Sequence, residues 1–391
     1  MFTQIKYKQW FITLHRYLGL ATALFLIVAG LTGSILAYYH QIDEWLNPEL
    51  FFTPENNEQF LSESELYQKA QQHVRQHQGS INTMPLEFNS GRSLMFRVNN
   101  NEHYNQLFIS PYTGEVLGQR TWGDLTQSIH NLAGFIYRLH YSLWIPNNWG
   151  ILLLGIIALI WTLDCFIALA TTLPVNKKFN VNNFIKRWKQ SFKMRWKSKG
   201  YSFHFLLHRS AGLWLWGILF IFAWSSVAFN LPEVYKPVTN FVFEQAPAKP
   251  NLRLDIKAQE SVLALDQALI IARSHAETLA IDKNIELGSE RSLRYSASNH
   301  TFQYRFHSSL DVDESLSRSV LYISAHDGEL LQVFWPTSQH SATTVTQWLY
   351  ALHMAEVFGW PYRLLVCLLG LAVCYFSYSG LLIWWKKRLK K

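Results

Sequence analysis

Leu14-His15-Arg16-Tyr17-Leu18-Gly19-Leu20 opens a long apolar run, and Leu207-His208-Arg209-Ser210-Ala211-Gly212-Leu213 opens another, 193 residues further on. More pairs follow in the same order. Leu107-Phe108-Ile109-Ser110-Pro111-Tyr112-Thr113-Gly114-Glu115-Val116-Leu117 answers to Leu321-Tyr322-Ile323-Ser324-Ala325-His326-Asp327-Gly328-Glu329-Leu330-Leu331, and Leu139-His140 answers to Leu352-His353. Self-similarity at a long register marks a duplicated unit. The chain therefore reads as two copies of one plan: helix, polar domain, helix.

Composition puts that plan in a membrane. Of 391 residues, 49% are hydrophobic and only 16% are charged, below the roughly one quarter usual in soluble domains. Sixteen Trp and eighteen Tyr suit a chain whose rings sit at bilayer interfaces. Four apolar runs, within 11–39, 149–173, 205–229 and 362–385, have about the twenty residues a spanning helix needs. Lys6 and Lys8 before the first run resemble a signal peptide, but the run is too long and no small-x-small site follows, so it is expected to remain as a first span. Gly30, Gly33 and Ser34 offer small surfaces for close helix packing.

The expected fold is a membrane protein of the α+β class: four transmembrane helices in two tandem helix–domain–helix repeats, with two extracytoplasmic α+β domains. Its layout is a cytoplasmic head and first span over 1–40, a polar domain over 41–123, and an interfacial helix with the second span over 124–173. A basic loop follows over 174–204, then a third span over 205–229 and a second polar domain over 230–345. An interfacial helix with the fourth span occupies 346–385, before a basic tail over 386–391. In the first polar domain Ser62-x-x-Glu65 forms a capping box for a helix near 63–77, and alternating stretches around 86–98 and 104–109 read as strands. The second repeats this with a helix over 261–279, strands near 293–306 and 318–325, a turn at Asp327-Gly328 and a strand over 329–334.

Charge between the spans sets orientation. Residues 174–200 hold nine Lys/Arg and no acid, and 386–391 hold five and none; 41–139 hold six basic and eleven acidic residues, and 229–352 ten and fourteen. The positive-inside rule then places both termini and the 174–204 loop in the cytoplasm and both polar domains outside. The net charge of +8 is thereby assigned to orientation and contact with anionic membrane lipid. Nucleic acid is not an expected partner, because the basic residues flank spans instead of lining a soluble fold.

Histidine carries the candidate chemistry. His15 and His208 start the first and third spans; His140 and His353 precede the second and fourth. A two-copy bundle packs about an axis along the membrane normal, which would bring His15 to His208 and His140 to His353. Facing imidazoles can hold a haem iron from both sides. Such an iron has no open site for oxygen, so its role is electron transfer. Two b-type haems with bis-His ligation are expected, bound non-covalently because no Cys-x-x-Cys-His occurs. Arg16 and Arg209, each beside its histidine, have the guanidinium fork that suits haem propionates.

A histidine at a helix end can equally be an interfacial polar group, and that reading stands beside the haem one for each of the four. His40, 25 residues after His15, falls on nearly the same helical face and is an alternative outer ligand, although the matching residue of the second copy is Glu233. His204, one turn before His208, reads as a neighbour of the cytoplasmic site, and His130 as its counterpart outside. Asp164 is an acid inside a span, meeting a polar group of another helix or a proton path. Cys165, Cys367 and Cys374 all lie in apolar runs and read as inert packing thiols. No Walker, Gly-x-Ser-x-Gly, His-Glu-x-x-His or Rossmann motif occurs.

Leu14-His15-Arg16-x-x-Gly19, Leu31-Thr32-Gly33-Ser34, Leu139-His140-Tyr141-Ser142-Leu143, Leu207-His208-Arg209-x-x-Gly212 and the Gly-Glu hairpins at 114–115 and 328–329 together resemble the PepSY-associated transmembrane helix family. The third span, closing at Leu231-Pro232, has no pair like Gly33-Ser34. The resemblance implies a bacterial inner-membrane protein with two periplasmic PepSY-like domains. It also implies an oxidoreductase of the di-haem, ferric-siderophore reductase type, tied to iron acquisition. On that reading a cytoplasmic or quinol donor supplies electrons that reduce ferric iron in a siderophore or other ferric chelate and release ferrous iron. The alternative is a non-enzymatic, membrane-anchored PepSY binding or protease-modulating protein. A reporter active only in the cytoplasm is expected to work when fused after Lys391 and to fail when inserted near Asn100; the reverse pattern would invert the topology.

Overall fold

The computed structural model describes residues 2–54, 59–175, 180–244 and 261–389. Parts of five expected segments, residue 1 of the head, 55–58 of the first polar domain, 176–179 of the basic loop, 245–260 of the second polar domain and 390–391 of the tail, lie outside the described residues. In chain order the helices are α1 (Phe2–Leu36), α2 (Tyr39–Leu46), α3 (Pro48–Phe51), α4 (Glu63–Gln76), α5 (Leu132–Ser142), α6 (Trp149–Thr172) and α7 (Val181–Trp188). They continue with α8 (Gly200–Trp214), α9 (Trp216–Asn230), α10 (Pro232–Val242), α11 (Leu265–Lys283), α12 (Ser341–His353) and α13 (Gly359–Arg388). The strands are β1 (Thr83–Pro85), β2 (Leu94–Arg97), β3 (Gln106–Ile109), β4 (Val116–Arg120), β5 (Leu287–Ser296), β6 (Thr301–Ser308), β7 (Ser319–Ser324) and β8 (Leu330–Phe334). The chain divides into a helical unit, Met1–Tyr38, Tyr137–Val242 and Leu352–Lys391, and a polar unit, Tyr39–Ile136 and Phe243–Ala351.

In the helical unit α1 packs against α6 and α13, α6 against α9, and α13 against α8. Stretches of α1, α6 and α13 are long and apolar enough to cross a membrane, and α8 with α9 makes a fourth if the bent pair is one span. The molecule is therefore of membrane type. Small residues set the closest crossing, as packing in lipid requires. A Cβ on Gly30 would stand 2.6 Å from the Gly370 carbonyl oxygen and 2.8 Å from Cys374 Sγ. Ser34 Oγ bridges the same crossing, bonding Gly30 O at 2.8 Å and Cys367 O at 2.9 Å.

The segment 205–229 is not the straight span its composition implies. It holds the end of α8 and most of α9, which meet at 72°. Gly212 and Gly217 flank the bend with open space where a Cβ would be. The two adjoining indoles hold the helices to different neighbours: Trp214 Nε1 donates to Phe192 O at 3.3 Å and Trp216 Nε1 to Cys165 O at 2.8 Å. Glycine is one of the residues at which helices bend sharply. Residues 232–242, assigned by sequence to the second polar domain, form α10 of the helical unit, with Pro232 at its first position.

The polar segments expected as two domains fold as one unit. β1, from the first, pairs antiparallel with β5, from the second, in the register Thr83–Arg294, Met84–Leu293, Pro85–Ser292. The result is a five-stranded sheet, β1-β5-β6-β7-β8, beside a three-stranded one, β2-β3-β4. A single core draws on both segments: Leu66, Met84, Phe96 and Leu107 pack in one cluster with Leu269, Leu293, Phe306 and Trp335. Small domains bury a smaller share of their surface, and pooling the two segments gives one larger core.

Polar ties reinforce the union. Arg273 on α11 reaches Glu63 of the first segment at 2.9 Å and Glu290 of the second at 2.6 Å, and Tyr304 also donates to Glu290. Burial alone would push the Glu290 carboxyl up, but these donors hold it below its ordinary value. Deeper still, Arg120 lays its fork on Asp43 at 2.8 and 2.7 Å, the two side chains only 7% and 4% exposed. Arg120→Ala leaves that carboxylate buried without its counter-charge, so a loss of about 3–5 kcal/mol is expected, read as a lower thermal midpoint of the purified protein. An unchanged midpoint would show that the pair contributes nothing.

Candidate functional site

The four histidines singled out in the sequence come together as two facing pairs, all within the helical unit. His15 on α1 faces His208 on α8 with ring centres 6.2 Å apart and planes at 61°. His140 at the end of α5 faces His353 at the end of α12 at 6.4 Å, also at 61°. His15 and Thr32, which contacts the second pair, lie seventeen positions apart on α1. At 1.5 Å per residue the pairs are therefore separated by about 26 Å along that helix, close to a bilayer's apolar thickness.

Each ring is tied at Nδ1. His140 Nδ1 lies 2.9 Å from Thr32 Oγ1, His353 Nδ1 2.7 Å from Ser225 Oγ and His208 Nδ1 2.8 Å from Ser379 Oγ. A hydroxyl has one proton to give. Thr32 gives its proton to Val28 O at 2.7 Å, Ser225 to Phe222 O at 3.1 Å and Ser379 to Phe376 O at 3.1 Å. With the hydroxyl proton on the carbonyl, the hydroxyl oxygen accepts from the imidazole, and this arrangement has the ring proton on Nδ1. His15 Nδ1 instead donates to Asp164, 3.0 Å from one carboxylate oxygen and 2.9 Å from the other. A ring protonated at Nδ1 keeps its lone pair on Nε2, the nitrogen then available to a metal.

Close packing aims the rings. A Cβ on Gly33 would stand 3.1 Å from His140 Cε1, so the glycine lets that ring lie against α1. Phe222 stacks on His353 with centres 4.8 Å apart, and Phe376 meets His208 edge-on at 5.6 Å. Both phenylalanines join one apolar cluster with Leu219, Leu369 and Val373.

The spacing suits an iron held in trans. An imidazole nitrogen sits about 2 Å from a bound metal and about 1.1 Å from its own ring centre, so two axial rings have centres about 6.2 Å apart. No cage of three or more His, Cys, Asp or Glu side chains occurs among the described residues. A metal between either pair would need its remaining ligands from a group such as a porphyrin. Arg209 has a buried Nε with no hydrogen-bond partner, a donor left over for an anionic group; Arg16 is half-buried on α1.

Other candidates are placed elsewhere. His40 is not on the same helix as His15, because α1 ends at Leu36 and His40 lies exposed on α2 in the polar unit. The 25-residue spacing assumed a continuous helix that the chain does not form. His204 Nδ1 meets Tyr375 Oη at 3.0 Å. His130 is exposed near Glu49 at 3.9 Å.

The Nδ1 partners were legible only in part. Thr32 and Ser225 stand at the same 193-residue register as His15 and His208. Comparing the copies for hydroxyls would have found them. Asp164 and Ser379 share no such register with their histidines.

Three long apolar helices, a bent apolar helix pair and a small α+β unit define a membrane protein of the α+β class. The model of the PepSY-associated TM region matches residues 12–387, and the chain belongs to that family. Among curated proteins none matches it.

Thr32→Val removes the acceptor of the His140 Nδ1–H and leaves it unpaired in an apolar setting, a cost of about 1–3 kcal/mol. Loss of helical ellipticity on heating should come earlier for Thr32→Val and stay near wild type for Thr32→Ser. Equal behaviour of the two variants would mean that the bond does not hold the ring.

Proposed function

We propose that the chain is a haem-containing inner-membrane reductase, built as two tandem repeats, with its polar unit in the periplasm and its termini in the cytoplasm. It carries electrons from a cytoplasmic or quinol donor to ferric iron in a siderophore or other chelate. The observation that carries this reading is the pair of imidazoles at each level, with ring centres 6.2 and 6.4 Å apart and every ring held at Nδ1.

His15 and His208 hold one b-type haem, His140 and His353 the other. Bound there, haem supplies one-electron redox chemistry toward each membrane face. The residues' own work is to fix the axial nitrogens and keep oxygen away from the iron, since two imidazoles leave no open position. Arg209, through its unpaired Nε, and Arg16 are the propionate partners, matching fork to carboxylate. Thr32, Ser225, Ser379 and Asp164 keep each Nδ1 protonated so that Nε2 stays a ligand. The family likeness is what points to ferric iron as the acceptor. Ferrous iron binds hard oxygen chelators more weakly, so each electron delivered to Fe3+ loosens it from its chelate.

Purified protein expressed with haem supplied is expected to give about two b-type haems per chain by pyridine haemochrome. His15→Ala or His208→Ala should remove or convert one haem, and His140→Ala or His353→Ala the other. Either class should abolish transfer from a cytoplasmic-side donor to a ferric chelate. A colourless protein would instead favour a membrane-anchored PepSY binding or protease-modulating role.

A further inference from the structure

The geometry points to Asp164 as the residue that makes the two haem sites unequal, holding the His15/His208 site at the lower reduction potential and so setting the direction of electron flow. This rests on the haem reading above.

The four Nδ1 contacts differ in one respect. Three histidines have a neutral hydroxyl at Nδ1. The fourth, His15, donates to a carboxylate, and both oxygens of Asp164 lie within 3.0 Å of its Nδ1. The Asp164 side chain is only 13% exposed, and among the described residues His15 is its only hydrogen-bond or ion-pair partner, so its charge is not shared with a lysine or arginine. A carboxylate pulling on the Nδ1 proton raises the electron density at Nε2, and with it the basicity of the ligand. A more basic axial nitrogen stabilises Fe3+ over Fe2+. The negative charge itself works in the same direction, and a poorly solvated setting strengthens it. Only the His15/His208 site has this feature.

Electrons move from the lower-potential station to the higher. With His15 and His208 near the cytoplasmic face, Asp164 biases flow outward, toward the His140/His353 pair. Asp164 touches neither iron nor substrate; it is a positioning residue that acts through His15.

The test is an optical redox titration of the full, haem-loaded chain in detergent. In wild type two one-electron midpoints are expected. Asp164→Asn keeps an acceptor of the same shape without the charge. It should raise the lower midpoint by at least a tenfold change in the reduced-to-oxidised ratio, about 59 mV for one electron. The upper midpoint should not move, and Asp164→Glu should stay near wild type. Low-spin ferric EPR signals should persist in both variants, since the ligands are intact. A lower midpoint that stays put in Asp164→Asn, or movement of the upper one instead, overturns the assignment. Loss of the same haem from both Asp164→Asn and Asp164→Glu overturns it too, because Asp164 would then hold the ring instead of tuning it. Should Asp164→Asn fail to fold, Ser379→Asp places a second carboxylate on the partner ring, and its lower midpoint should fall; no change refutes the idea. A wild-type chain that takes up no haem defeats the underlying reading before any variant is made.

Discussion

A hydroxyl with a single proton organises the helical unit. Thr32, Ser225 and Ser379 each spend that proton on a carbonyl of their own helix and have only a lone pair left for the neighbouring imidazole. The constraint passes outward from there. The contact anchors one ring nitrogen to a neighbouring helix, and the two rings of each pair stand 6.2 and 6.4 Å apart. Both pairs settle within 0.2 Å of the same spacing and at the same angle. Two sites built from different helices reach one spacing although His15 is held by a carboxylate and the other three rings by hydroxyls.

The polar unit solves a different problem. Each of its segments brings one long helix and a few short strands, too little to bury a core. Joining β1 to β5 extends the larger sheet, and α4 and α11 contribute Leu66, Ala70 and Leu269 to a common interior. Arginines bridge what the sheet leaves open, Arg273 to Glu63 and Arg291 to Glu87. These two ties are partly exposed, whereas the Arg120–Asp43 pair is buried.

Much of this could be read in the chain before any coordinates. The duplicated Leu-His-Arg motif and the matched Leu-His pair named the four histidines, because a repeat makes weak local signals reinforce each other. Hydrophobic runs found the apolar helices, and Ser62 does cap α4, accepting from Glu65 N at 3.3 Å. What escaped was non-local. The bend at Leu215 depends on where two indoles find acceptors. The break after Leu36 removes His40 from the first helix, yet residues 37–40 look as helical as those before them. The joined sheet depends on strand pairing across some two hundred residues, which no window of sequence contains. Asp164 was visible as an oddity, but its partner is 149 positions away.

The joined sheet also constrains how the molecule can be made. β1 ends at Pro85 and β5 begins at Leu287, with α5 to α10 between them. A ribosome adding about 5–20 residues per second takes roughly 10–40 s to cover that interval. Throughout it Met84 and the inner face of α4 wait for a partner not yet synthesised. The first polar segment is thus a nascent half-domain with an open edge, exposed to proteases and to pairing with the wrong chain. Biogenesis of this protein would then depend on a chaperone that holds the first polar segment, or on rapid delivery of the second, as much as on insertion of its helices.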